Sequence, residues 1–132
     1  MTLAPRKEPF RVSLGDRGEM IAWDYLIRRG YRILEKNYRC KIGEIDVVAE
    51  KNKRLVFVEI KTRRHAGFGR PEEAVDAAKQ RKLTRLAQWY LKEKKKKEVS
   101  VFFDVLAITW NSLQEPQMRL IENAFSVDAF LT

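Results

Sequence analysis

The chain has 132 residues, and 45% of them are hydrophobic, which suits a single domain with one core and excludes a chain that is disordered throughout. It carries 27 Lys and Arg against 18 Asp and Glu, which gives a formal net charge of +9. This excess favours a polyanionic partner such as DNA, RNA or an anionic membrane surface. A charge that only keeps the protein in solution fits the composition equally well.

Several classes of site and location are disfavoured by what the chain lacks. Cys40 is the only cysteine and His65 the only histidine. The chain therefore lacks the second cysteine of an internal disulfide and the ligands of a Cys-rich zinc site, and it has a single histidine to offer for Ser-His-Asp catalysis. Residues 1–11 lack the apolar centre of a signal peptide, and the most apolar stretch, 99–110, is too short to cross a bilayer. The sequence therefore predicts a cytoplasmic protein without membrane contact.

The hydrophobic pattern divides the chain into two helical and five extended segments. Residues 1–12 are predicted to form a loose arm, and residues 13–132 a single domain. The predicted helices span 14–29 and 71–93, and the predicted strands span 31–40, 44–49, 55–62, 99–109 and 118–122, with a turn at 111–116. A long helix between the third and fourth strands favours a parallel crossover. The predicted fold is α/β, with a mixed central sheet of four to five strands flanked by helices.

The third predicted strand ends in charged residues although its first half is apolar on both faces, as in a central strand covered on both sides. Because side chains alternate along a strand, Glu59 and Lys61 share a face with Phe57. A carboxylate and an ammonium group in such a position are costly unless they are paired or bound to a metal. An ordinary ion pair at the surface is the alternative interpretation.

A second acid is expected close to this pair. Residues 51–53 form a polar turn of the hairpin kind, which would place Asp46 near residues 59–61 and on one face with Glu44 and Val48. Asp46 and Glu59, with the backbone carbonyl of Ile60 beside them, would then form a hard-oxygen site for Mg²⁺ or Mn²⁺. Taken alone, Asp46 is better explained as an acid that flanks a turn, and only its combination with Glu59 and Lys61 in the partner strand favours a metal site.

Two further side chains complete the predicted site. The ammonium group of Lys61 would stabilise negative charge on a phosphodiester under attack by water, or would orient that water. Glu19, at the edge of the apolar face of the first helix, is the candidate fourth member and would help to hold metal or water. A role as an ordinary surface acid is nearly as well supported for Glu19.

The order of these residues resembles the core motif of the PD-(D/E)XK nuclease superfamily. It is most similar to a small uncharacterised bacterial family regarded as relatives of archaeal Holliday-junction resolvases. The motifs that carry the resemblance are Gly18-Glu19 with Ala22 and Tyr25-Leu26, Gly43-Glu44-Ile45-Asp46, Val58-Glu59-Ile60-Lys61, Gly69 with Pro71, Lys79-Gln80, and Phe103-Asp104-Val105. Ile45 replaces the proline of the superfamily name, and Thr84 stands where some relatives have a tyrosine four residues after Gln80.

The resemblance implies a restriction-endonuclease-like core over about residues 14–109. It also implies roles for the four charged residues, with Glu19, Asp46 and Glu59 as metal-site acids and Lys61 as the catalytic lysine. Basic and amide side chains after the third strand and on the second helix are expected to contact a phosphate backbone. These predicted nucleic-acid-binding residues are Arg63, Arg64, Arg70, Lys79, Gln80 and Lys82.

The sequence thus predicts an Mg²⁺- or Mn²⁺-dependent endonuclease that acts on nucleic acid, with DNA, including branched DNA, as the expected substrate. A resolvase makes paired cuts, so a homodimer with two active sites is expected in that case. The main alternative is a non-catalytic nucleic-acid-binding adaptor that retains the nuclease fold. A protein-binding module with an acidic partner is a third interpretation.

Overall fold

A computed structural model describes residues 14–63, 75–111 and 114–125. Its elements in chain order are α1 (Leu14–Arg28), β1 (Arg32–Cys40), β2 (Gly43–Lys51), β3 (Arg54–Arg63), α2 (Ala77–Glu93), β4 (Val101–Asn111) and β5 (Gln114–Ile121). The five strands form one sheet in the order β1-β2-β3-β4-β5. The α/β class and the mixed sheet are therefore confirmed, and the architecture is consistent with a restriction-endonuclease-like core.

One parallel pair makes the sheet mixed. β3 and β4 run parallel, with Leu55 opposite Val101, and α2 forms the crossover between them. The other three neighbouring pairs are antiparallel. The crossover follows from chain connectivity, because two parallel strands cannot be joined by a tight turn. The crossover places the first turn of α2 near the end of β3 that carries charged residues.

Each face of the sheet is covered by one helix. Leu83 and Leu86 of α2 pack with Phe57 and Phe103 on one face, which we call the α2 face. On the other, the α1 face, the buried residues of α1 and the sheet are Ala22, Leu26, Tyr31, Val47, Ala49, Val56, Val58, Leu106 and Ile108. β3 supplies buried residues to both faces, which confirms the prediction of a doubly covered central strand.

The predicted hairpin between β2 and β3 is present, and its turn has two residues instead of the three expected at 51–53. Lys51 pairs with Arg54, and the intervening Asn52 and Lys53 both have positive φ, of 52° and 64°. Positive φ at both central residues is the mark of a type I′ turn, whose twist matches that of the flanking strands. The register runs on to the pair of Val47 and Val58, so Asp46 and Glu59 are the next residues along the two strands.

Two predicted boundaries are wrong. α2 begins at Ala77 rather than at Pro71, because the carboxylate of Asp76 caps the helix by accepting a hydrogen bond from the Lys79 N–H at 2.9 Å. β5 begins at Gln114, inside the predicted turn at 111–116, and contains Pro116. Proline is tolerated there because β5 is an edge strand. The predicted arm, the basic residues of the loop after Arg63 and the last seven residues lie outside the described residues.

No helix in the described ranges is long and apolar enough to cross a membrane. Asp104 is buried and accepts hydrogen bonds from the Tyr31 hydroxyl at 2.6 Å and the Asn123 N–H at 2.9 Å. It therefore joins β4 to the residue that precedes β1 and to the segment after β5. Burial of a carboxylate is tolerated here because both oxygens are bonded.

α1 lies close to the sheet at Gly18. A Cβ atom at this position would lie 2.9 Å from Oγ1 of Thr62 on β3. The side chain of Thr62 is branched at Cβ and turns stiffly, so it does not move aside easily. Only glycine fits at this contact. The contact therefore sets the distance between the neighbouring Glu19 and the end of β3.

Gly18→Ala is expected to lower the free energy of unfolding by about 1–3 kcal/mol, because the new methyl group overpacks the contact with Thr62. In an open helix the same change would stabilise by about 1 kcal/mol. Urea denaturation of Gly18→Ala, Thr62→Ala and the double variant forms a cycle in which Thr62→Ala should remove most of the penalty. A Gly18→Ala variant at least as stable as the parent would show that α1 does not contact β3 this closely.

Candidate active site

Asp46 lies where the alternation of β2 slips by one residue. Val47 belongs to the α1 face, whereas Ile45 and Val48 both belong to the α2 face. Strict alternation would put Ile45 and Val48 on opposite faces, so the predicted sharing of one face by residues 44, 46 and 48 does not hold across this slip. Asn37 of β1 lies opposite Asp46 and has a φ of 53°, which marks the same irregularity in the neighbouring strand.

The Asp46 carboxylate takes the place of a backbone partner for β3. The Ile60 N–H donates a hydrogen bond to Oδ2 of Asp46 at 2.7 Å, just past the last paired residues of the β2–β3 ladder. Within a strand the N–H and the carbonyl of one residue point to the same neighbour. The Ile60 carbonyl is therefore directed to the side on which Asp46 lies, as its predicted role as a ligand requires.

Burial and negative charge both act on Asp46. Burial is the largest influence and raises the pKa of this carboxyl to about 6, against an ordinary value of 3.8. The hydrogen bond from Ile60 opposes the shift, while the negative charges of Glu59, Glu19 and Glu44 add to it. The structure thus brings two of the predicted acids, Glu59 and Glu19, into electrostatic reach of the third, Asp46.

Glu44 is a fourth acid, which the sequence analysis did not assign to the site. Its side chain is more than half exposed, and it accepts a hydrogen bond from Nε of Arg39 on β1 at 2.8 Å. Glu44 stands two residues before Asp46 in the Gly-Glu-Ile-Asp motif, which was the available signal. Strand alternation alone could not show how near the two charges lie, because the alternation slips between them.

Glu59 is held between two lysines. Its Oε2 lies 3.6 Å from Nζ of Lys61 on the same strand and 3.2 Å from Nζ of Lys79 on α2. Only 12% of the Glu59 side chain is exposed, so water screens these charges less than it would at an open surface. Lys79, predicted as a phosphate contact, therefore reaches the carboxylate proposed to bind metal.

The remaining predicted residues are spread more widely. Arg63 ends β3 and is half-buried, whereas Arg64 and Arg70 lie outside the described residues. Gln80 uses its side-chain amide within the protein, donating to the Val75 carbonyl at 3.1 Å. Lys82 packs on Gly43 at the β1–β2 turn. Across residues 14–63, 75–111 and 114–125, no three His, Cys, Asp or Glu side chains are grouped closely enough to hold a metal.

The comparison with known proteins decides the family. The family model described as "Uncharacterised protein family UPF0102" matches residues 18–108, which include both acidic strands and α2. The chain belongs to the UPF0102 family. This confirms the predicted membership of a small bacterial family, while the relation of UPF0102 to nucleases remains a prediction.

Relatives within UPF0102 match over nearly their whole length. A UPF0102 protein of Syntrophotalea carbinolica is 46% identical over 120 residues, which cover 91% of this chain and 97% of the relative. One from Geobacter sulfurreducens is 48% identical over 114 residues, with 86% and 89% covered. Among solved structures, Pyrococcus furiosus SfsA in complex with Ca²⁺ aligns with a TM-score of 0.39 and 18% identity, over 86% of this chain and 64% of that one. A likeness that low carries no inference.

The pKa of Asp46 predicts a stability that falls as pH rises. Because the folded pKa of about 6 is above the unfolded value, the folded state binds more protons between about pH 4 and pH 6. The free energy of unfolding should therefore decrease through this window. In metal-free buffer, Asp46→Asn should be more stable than the parent at pH 7.5, by about 2–3 kcal/mol, and the difference should vanish below about pH 4.

Urea denaturation at a series of pH values measures this difference, and carbon NMR of the Asp46 carboxyl gives its titration midpoint directly. Asp24→Asn is the matched control, because Asp24 is exposed and pairs with Arg28 on the surface of α1. A titration midpoint near 4 for Asp46 would contradict the described environment.

Proposed function

We propose that this UPF0102 protein is a metal-dependent endonuclease that hydrolyses phosphodiester bonds in nucleic acid, with DNA, including branched DNA, as its substrate. The observation that carries the proposal is the convergence of Asp46 and Glu59 with Lys61 where β2 and β3 separate. A buried carboxylate with a perturbed pKa beside a second acid and a lysine is typical of a catalytic centre.

The chemistry of the donors suits a hard divalent cation, although the described side chains are not grouped closely enough to form a complete metal site. Asp46, Glu59 and Glu19 would supply carboxylate oxygens and Ile60 its carbonyl, and Mg²⁺ and Mn²⁺ prefer such ligands. Burial of the Asp46 carboxylate, and then the negative charge of its acidic neighbours, raise its pKa, and a bound cation would stabilise the ionised form against both. When bound, such a metal would polarise the phosphate and lower the pKa of a water molecule.

The chain's own residues have distinct tasks in this proposal. The Ile60 N–H fixes the orientation of the Asp46 carboxylate, which is needed because a misplaced reacting group costs rate. Held in this orientation, Asp46 would direct its carboxylate oxygens to the metal. Lys61 lies beside Glu59 and can move its ammonium to a phosphate oxygen as negative charge develops there.

The proposal also includes how the protein attracts nucleic acid, where it acts and how many copies assemble. The net charge of +9 would attract nucleic acid over a Debye length or more. We place the reaction in the cytoplasm. For paired cuts in a branched substrate, we propose a homodimer that presents two copies of the site.

The pairing of Glu59 with two lysines favours a second candidate, a nucleic-acid-binding adaptor without catalysis. Lys61 and Lys79 together already balance the charge of Glu59, and no group of three metal-ligating side chains is present among the described residues. In an adaptor these contacts would be permanent. In the proposed enzyme the lysines would turn from Glu59 to the substrate.

The nuclease proposal predicts cleavage of supercoiled, linear or four-way-junction DNA in Mg²⁺ or Mn²⁺. Asp46→Asn, Glu59→Gln and Lys61→Met should each lower the cleavage rate by about 100-fold or more, because each removes a group that acts on the reacting phosphate. Lys92→Met, which alters an exposed lysine in the last turn of α2, should cleave like the parent. Folded parent protein that cleaves none of these substrates would contradict the proposal.

Metal titration separates the enzyme from the adaptor. Calorimetry with Mn²⁺ should show binding to the parent that is lost in Asp46→Asn, and binding should weaken as pH falls below about 6, because protons compete for Asp46. Mn²⁺ should also lower the NMR titration midpoint of Asp46. DNA binding that persists in Asp46→Asn, with no Mn²⁺ binding to the parent, would instead identify an adaptor.

A further inference from the structure

A basic cleft lies beside the acids, between the β1–β2 turn and the first half of α2. Its volume is about 520 Å³, which is within the range of ligand-binding clefts. One wall is the continuous segment 39–44 at the turn, and the other is formed by Lys79, Lys82, Leu83 and Leu86. Leu83 and Leu86 belong to the buried core, so this second wall stands on a rigid base.

Positive charge dominates the cleft. Four of its lining residues, Arg39, Lys41, Lys79 and Lys82, are cationic, against the single acid Glu44. Arg39 is paired with Glu44, and Lys79 with Glu59. Within the described part of the chain, Lys41 and Lys82 lie beyond ion-pair distance of any carboxylate. Two cations thus face the cleft without a counter-charge, which favours an anionic occupant.

Gly43 holds one of these cations in place. It has a φ of 148°, a backbone conformation that L residues rarely adopt, and a Cβ atom added to it would lie 3.0 Å from Cε and 3.6 Å from Nζ of Lys82. The methylene stem of Lys82 therefore rests against the bare backbone of the turn. This packing limits the rotamers of a side chain that is otherwise flexible, so its ammonium is positioned over the cleft.

The cleft and the acids share two residues. Lys79 lines the cleft and lies 3.2 Å from Glu59, while Glu44 lines it and adds to the negative charge around Asp46. A nucleic-acid strand with one phosphate at the acids would therefore carry its chain into or past the cleft. Repeated phosphates on such a strand suit a row of cations that begins at the catalytic carboxylate.

We propose that this cleft binds a phosphate group of the substrate strand other than the one that is cleaved, with Lys82 and Lys41 as its ligands and Gly43 as the residue that positions Lys82. The inference rests on the proposed function and adds to it a site that fixes where the strand lies. Contacts of this kind set the register of a strand without reading its sequence.

The test measures binding of a short fluorescein-labelled oligonucleotide, single-stranded or duplex, by fluorescence anisotropy in EDTA, so that cleavage plays no part. Lys82→Met, which keeps the stem and removes the charge, should weaken binding about fivefold. The slope of log K against log salt between about 50 and 200 mM should fall by about 0.7 for the single strand or 0.9 for the duplex. Lys92→Met, the control, removes the same charge from the same helix. It should change the affinity and the salt slope less than Lys82→Met does.

Gly43→Ala provides the sharper comparison, since it leaves the net charge unchanged. The added methyl group should displace Lys82 and weaken binding in the same direction as Lys82→Met. Gly30→Ala is its control, because Gly30 also has a positive φ, of 93°, but an added Cβ would meet nothing within 4 Å. Thermal denaturation followed by circular dichroism identifies a variant that fails to fold, and Lys82→Met then decides the question alone.

The outcomes are distinct. Equal binding by Lys82→Met and Lys92→Met, or by folded Gly43→Ala and Gly30→Ala, would overturn the phosphate site and leave the nuclease proposal standing. A parent protein that binds no oligonucleotide would overturn both. If inorganic phosphate displaced the labelled strand as effectively, mole for mole, as the unlabelled strand does, the cleft would belong to a small phosphate-bearing molecule, and the inference would be wrong. If the parent protein cleaved no DNA but Lys82→Met still bound the strand more weakly than Lys92→Met, the nuclease proposal would be wrong and the cleft would remain a phosphate-binding site for nucleic acid.

Discussion

The hydrogen bond from the Ile60 N–H to the Asp46 carboxylate is the interaction on which the arrangement of the candidate site depends. β2 and β3 pair regularly up to Val47 and Val58, and then this side-chain contact follows the backbone ladder. A strand that has lost its neighbour leaves backbone groups without partners, which is costly inside a protein. Here the polar side chain satisfies one of them, so the two strands can separate at the edge of the core.

Charge is crowded where the two strands separate. The carboxylates of Glu59, Glu19 and Glu44 act on Asp46, while Lys61 and Lys79 pair with Glu59 and Arg39 pairs with Glu44. Such an arrangement contributes little net stability, because desolvation of the ions offsets their attraction. A sequence under no constraint except folding would place apolar side chains at these positions. The retention of charge at the end of an otherwise apolar strand is therefore better explained by a task at the site than by the fold.

Much of this could be predicted from the sequence, and the failures have physical causes. The hairpin was predictable because a polar turn between two apolar runs fixes the register, and register alone places Asp46 opposite Glu59. The start of α2 was misplaced because proline is compatible with a first turn, but Asp76 offers a better cap. The slip in β2 was not predictable, since it depends on Asn37 in a neighbouring strand adopting positive φ. The reach of Lys79 to Glu59 depends on how α2 lies across the sheet, which periodicity does not specify.

The two-residue turn between β2 and β3 has a consequence for the order of assembly. Asp46 and Glu59 are delivered by strands joined almost directly, so forming their contact requires closure of only a short loop. Lys79 arrives through the crossover helix, which must settle on the completed sheet before its ammonium reaches Glu59. The nascent hairpin thus brings like charges together with only Lys61 as a counter-ion, and docking of α2 adds Lys79 and lowers the repulsion further. Helix docking and hairpin closure are thereby coupled electrostatically, and a dissolved divalent cation could substitute for the helix during that interval.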